Sequence, residues 1–179
     1  MATYFASETL FKSTVPINQS VEMSAINPFL ESAQLLFIRD ILGSKLYDEV
    51  LTQYSAQTLT ANNTTLVTYI KPCVCWRAFE LYLPFAKNEV RNKGVVSLTG
   101  EFETSSDLEN LKYIRNEAKN ISEFYESQLK NYLENYSVSF PFYTSPDTKG
   151  VVPSNSEVWD SDLYLPGSNY CGPICSTII

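Results

Sequence analysis

Residues 66–86 read LVTYIKPCVCWRAFELYLPFA, a run that is apolar on every side when wound as a helix. A helix without a polar face has to be surrounded by other elements, so this run belongs at the centre of a bundle or at a subunit contact. Lys71, Arg77 and Glu80, together with Pro72 and Pro84, argue against a membrane span. Each proline removes a backbone N–H and is expected to kink the helix or begin a new segment. Within the run, Cys73 and Cys75 read as small buried hydrophobes. Trp76, Phe79, Tyr82 and Phe85 recur at helical spacing and read as core packing rather than as an aromatic box for a ligand.

The flanking segments have the one-sided periodicity of helices that could surround such a centre. In INPFLESAQLLFIRDIL, Asn27 is the expected N-cap and Pro28 the first helical residue, with Phe29, Ala33, Leu36 or Phe37, and Ile41 on one face. Gly43 then stands where a left-handed residue ends a helix, and Ser44 can cap the next one. That second helix carries Leu46, Tyr47, Val50, Leu51 and Tyr54 as its stripe. The alternative is one helix that tolerates the glycine at about 1 kcal/mol. After the polar break LTANNTT, Asn63 or Thr64 is the expected cap of the central run. GVVSL and GEFET read as two short strands around Thr99 and Gly100. Ser106-Asp107-Leu108-Glu109 is a capping box. It opens a long run whose stripe is Leu111, Ile114, Ala118, Ile121, Tyr125, Leu129, Tyr132 and Tyr136, with Glu126 and Lys130 as an i,i+4 pair.

The expected fold is all-α: a small bundle of about four to five helices with a minor hairpin and a long irregular C-terminal arm. Residues 1–25 are a mostly irregular lead-in, 26–136 the helical domain and 137–179 the arm. The arm holds five of the nine prolines, yet Phe140, Phe142, Tyr143, Trp159, Tyr164, Leu165, Tyr170, Ile178 and Ile179 are spread through it. Solvated disorder lacks such anchors. The arm is expected to lie on a surface, its own or a neighbour's, with those residues as its contacts.

Composition removes several chemistries. Histidine is absent, which excludes Ser-His-Asp and Cys-His nucleophile systems and histidine-ligated zinc. No phosphate-binding loop or dinucleotide fingerprint occurs. Glu101 and Glu103, like Asp160 and Asp162, lack the spacing of a calcium loop. The pairs Cys73/Cys75 and Cys171/Cys175 lack the usual zinc-knuckle spacing. The net charge of −7, with its few cations scattered, disfavours direct nucleic-acid binding. No catalytic residue, cofactor or metal is expected. The opening MATYFASETLFK has no secretory pattern, so free thiols in a reducing cytoplasm are the default expectation.

One resemblance goes further. AQLLFIRDILGSKLYDEVL resembles the opening block of small helical head–tail connector proteins of tailed phages, as in Bacteroidetes prophages and crAss-like phages. YIKPCVCWRAFELYLPF running into VRNKGVV is similar to their second block, and LENLKYIRNEAKNISEFYESQLKNYL to their long third block. The similarity spans about residues 26–136; the CVC run departs from it and the cysteine-bearing tail is not covered by it. It implies a structural virion protein, made in the host cytoplasm, that assembles as a homo-oligomeric ring (typically a dodecamer) beneath the phage portal protein. Such a ring extends a channel through which DNA passes without sequence-specific binding, and it presents a surface to further neck or tail proteins. No membrane is involved. A soluble helical adaptor of a machine other than a phage is the alternative.

Overall fold

A computed structural model describes residues 3–86, 88–91, 94–97, 108–144 and 150–153 of the 179-residue chain. The architecture is all-α, organised around the apolar run. That run forms one helix, α5 (Ala61–Ala86), which includes both Pro72 and Pro84. Neither proline begins a new segment, because burial on every side outweighs the backbone hydrogen bond each removes. The helix is capped one turn earlier than the sequence implies: the Thr60 hydroxyl accepts from the Asn63 N–H at 3.3 Å. Asn63 is buried and donates to the Gln53 carboxamide oxygen at 2.8 Å, tying the start of α5 to the helix before it.

Helix α6 (Leu108–Asn135) packs along α5 in the opposite direction. Tyr69 stacks on Tyr132 with ring centroids 4.6 Å apart, and Arg77 reaches Glu126. The capping box expected to open α6 falls at Ser106 and Asp107, outside the described residues. Of its expected stripe, Ala118 and Leu129 are buried, and Ser122 and Leu133 join them. Glu126 pairs with Arg77 rather than with Lys130.

On α5 also lies α2 (Met23–Ala33), whose Phe29 ring meets Tyr82 and Phe85 at 5.7 and 5.3 Å. This helix starts before Asn27, so Pro28 sits inside it and Asn27 is not its cap. A π-helical turn at Gln34–Ile38 and a short α3 (Arg39–Leu42) continue it to Gly43, after which α4 (Ser44–Ala56) begins. The lead-in is more ordered than its composition implies. It carries α1 (Glu8–Thr14), capped by the Ser7 hydroxyl, and sends Phe5 and Phe11 into the core.

β1 (Asn88–Arg91) and β2 (Gly94–Ser97) form an antiparallel hairpin with Asn88 opposite Ser97 and Arg91 opposite Gly94. The GVVS strand is as expected, but its partner lies upstream, across a link of two residues, a length that suits a hairpin. The second expected strand, GEFET, lies outside the described residues. After α6, a 3-10 turn (Ser137–Ser139) and α7 (Pro141–Thr144) fold back, and α7 packs on α4.

Candidate interaction surfaces

Gly43 has φ +74°, where a residue with a side chain is strained, and it forms the corner between α3 and α4. A second constraint acts on the same atom. A Cβ here would lie 2.7 Å from Cδ and 2.8 Å from Cγ of Pro153. The chain returns to this corner from more than a hundred residues away. The Ser44 N–H donates to the Val151 carbonyl at 2.9 Å, and the Val151 N–H donates to the Ser44 hydroxyl at 2.8 Å. Ser44 therefore clasps the returning segment instead of capping its own helix, as its place after the glycine had implied.

The arm accordingly begins as part of its own bundle. Phe140 is 2% exposed and Tyr143 6%, both packed into the core, so these two are structural anchors and not contacts for a neighbour. Phe142 is exposed at 43%. Trp159, Tyr164, Leu165, Tyr170, Ile178 and Ile179 lie outside the described residues.

The centre of the bundle holds a buried charge network. Arg77 donates to Glu80 at 2.6 Å and to both carboxylate oxygens of Glu126, one of them at 2.9 Å. Its guanidinium lies over the Phe37 ring, 4.3 Å from the centroid. Burial opposes its charge, but the hydrogen bonds to Glu126 and Glu80 outweigh that and hold its pKa above the usual value. Every member is satisfied by another, which is the condition under which buried charge is tolerated. The network joins α5, α6 and the π turn.

Gln34, in the π turn, is the polar anchor of the N-terminal segment. Its carboxamide oxygen accepts from the Phe5 N–H at 2.7 Å and its amide donates to the Thr3 carbonyl at 3.2 Å. Tyr54 closes the clasp by donating to the Phe5 carbonyl at 3.2 Å. Cys73 and Cys75 are both buried, and burial pushes the Cys75 thiol up to about 12 and the Cys73 thiol higher still. Such thiols are protonated and unreactive at neutral pH. Among the described residues, no three of His, Cys, Asp or Glu are grouped to hold a metal, and no helix is long and apolar enough to cross a membrane. Cys171 and Cys175 lie outside the described residues.

Among the described residues, the exposed apolar side chains include two neighbouring pairs on separate elements. On the π turn, Leu35 and Leu36 face outward, Leu36 with 62% of its surface exposed. The other lies on α6. The register set by Tyr69–Tyr132 and Arg77–Glu126 brings the end of α5 alongside Ala118, the first buried residue of α6 among those described. Earlier turns of α6 run past that end, with Tyr113 64% exposed and Ile114 37%. The sequence stripe includes Ile114 but carries no signal that its packing partner stops short.

The described residues thus form an all-α bundle with a buried Arg77–Glu80–Glu126 cluster and exposed apolar pairs on separate helices. The chain belongs to a family of unknown function, DUF6712, which matches residues 38–151. The match starts at the end of the π turn and stops at Val151, the residue that Ser44 clasps. No curated protein and no solved structure matches the chain.

Proposed function

We propose that this chain is a structural virion protein, a ring subunit of a phage head–tail connector that sits beneath the portal and extends the DNA channel. The observation that carries this reading is the pair of uncovered apolar surfaces on separate helices, Leu35 and Leu36 on one, Tyr113 and Ile114 on the other. A closed ring is built from head-to-tail contacts, in which each subunit contributes two different faces. Exposed apolar groups of this kind mark association surfaces. The resemblance of the α3–α4 corner, of α5 and of α6 to phage connectors supplies the rest. The partners it implies are the portal on one side and neck or tail proteins on the other. A net charge of −7 suits a conduit through which DNA must slide. The role is architectural, with no catalysis and no cofactor.

The test is to mix the purified chain with its cognate portal and image the product by negative-stain microscopy. Leu36→Asp and Tyr113→Asp variants would run alongside. The wild-type chain is expected to add a ring to the portal and each variant to lose it while keeping a native circular-dichroism spectrum. A chain that neither binds the portal nor forms rings would sink the reading and leave a helical adaptor of another machine.

A further inference from the structure

We propose that the acidic, aromatic segment 157–164 docks on a cationic flank of α6 in its own chain. Beyond Pro153 the sequence holds Glu157, Asp160 and Asp162 and no Lys or Arg, with Trp159 and Tyr164 interleaved. A matching surface exists on the uncovered part of α6. Lys112, Arg115 and Lys119 recur at i, i+3 and i+7, which places them within a narrow arc of one helix face. All three are exposed. Neither Lys112 nor Arg115 has a carboxylate partner among the described residues, and Lys119 meets only Glu123, at 3.6 Å. Tyr113 stands about 100° round the helix from Lys112, so this stripe is a separate face from the apolar one. Arginine and lysine heads are a surface on which carboxylates and an indole can both be accommodated.

The departure point of the segment is fixed. Val151 is held by both hydrogen bonds to Ser44, and Pro153 lies against Gly43. Extended chain covers up to about 3.5 Å per residue, so the acids at 157–162 reach up to about 14 to 32 Å from Pro153. The route is short. Phe37, one and a half turns before Gly43, touches Arg77, which holds Glu126. From Glu126, Lys119 and Arg115 stand about 10 and 17 Å back along α6. Tethering at Pro153 gives the segment an effective concentration in the millimolar range, far above that of a second copy in dilute solution, so the chain's own segment is the occupant. Contacts between exposed charges are screened by salt, and docking is correspondingly salt-sensitive.

The experiment is fluorine NMR of the full chain labelled with 5-fluorotryptophan, which has two signals, Trp76 and Trp159. Trp159→Phe assigns the second. The Trp159 line is expected to differ from that of the isolated 154–179 peptide, and to move to the peptide position in high salt and in Lys112→Glu/Arg115→Glu. It should return when Glu157→Lys, Asp160→Lys and Asp162→Lys are added to that double variant. Dilution should leave the wild-type line in place. A wild-type line already at the peptide position overturns the proposal, as does one that charge reversal leaves unmoved. A line that moves on dilution assigns the surface to a second copy and overturns it equally. The isolated chain suffices, so either result leaves the ring reading untouched.

Discussion

Helices α5 and α6 have nearly the same length, 26 and 28 residues, and lie against each other, yet they meet opposite physical demands. α5 is enclosed, so each ionisable group on it needs a partner. Arg77 and Glu80 share a network with Glu126, and Lys71 sits 5.9 Å from the centre of the Tyr54 ring. α6 buries one stripe and, Glu126 and Lys130 apart, leaves its charges exposed, and its first turns extend past the end of α5. The contrast shows that place in the bundle, more than helix-forming tendency, decides what a residue on either helix contributes.

The sharpest way to break that contrast is to unbalance the enclosed network. Arg77→Met leaves Glu80 and Glu126 buried without a cation and is expected to cost about 3–5 kcal/mol in urea unfolding. Adding Glu80→Leu and Glu126→Leu should recover most of that loss. If Arg77→Met alone is neutral, the network is not the tie between α5 and α6.

Within α6 the two ends should separate cleanly. Leu129→Ala removes a fully buried side chain and is expected to cost about 2–5 kcal/mol. Gly43→Val comes next, at about 1–3 kcal/mol for the strained backbone. The clash with Pro153 adds to it, and Pro153→Gly should relieve that part in a thermal melt.

The cysteines of α5 sharpen the comparison through pH. Burial holds the Cys75 thiol protonated in the fold, pushed up to about 12 from an ordinary value of 9.0. The folded state then keeps a proton that the unfolded state gives up. Stability is complete below the unfolded pKa and falls as pH rises from about 9 towards 12, by up to about 1.4 kcal/mol per unit for this thiol. Cys75→Ala should flatten that slope between pH 9 and 10 in urea titrations; an unchanged slope would mean the thiol ionises freely. Ile114→Ala closes the series, with an effect within about 0.5 kcal/mol because its site on α6 is open.

Much of this organisation was legible in sequence. The apolar run read as a bundle centre or a subunit contact, the periodic run from Leu108 as a one-faced helix, and Gly43 as a corner in preference to a tolerated break. The structure has a central helix, a one-faced helix and a corner at these three places. What escaped were features that depend on residues far apart in the chain. Pro72 and Pro84 read as breaks because periodicity carries no record of the helices that hold α5 together. Ser44 read as a cap because its partner, Val151, is 107 residues away. Phe140 and Tyr143 read as surface contacts, the chain's own or a neighbour's, because an aromatic residue among prolines looks alike whether it packs on its own bundle or on another. The π turn has no sequence signal of its own, although it sets the outward direction of Leu35 and Leu36.

The clasp between Ser44 and Val151 also bears on the order of folding. Contacts made across 107 residues carry a large loop-closure entropy, whereas α3 and α4 are neighbours in the chain. The helices are therefore expected to assemble first and the clasp to close after the main barrier. In stopped-flow measurements Ser44→Ala, which removes the side-chain hydrogen bond to Val151, should leave the refolding rate nearly unchanged and speed unfolding, so the clasp governs how long a folded molecule lasts rather than how fast it forms.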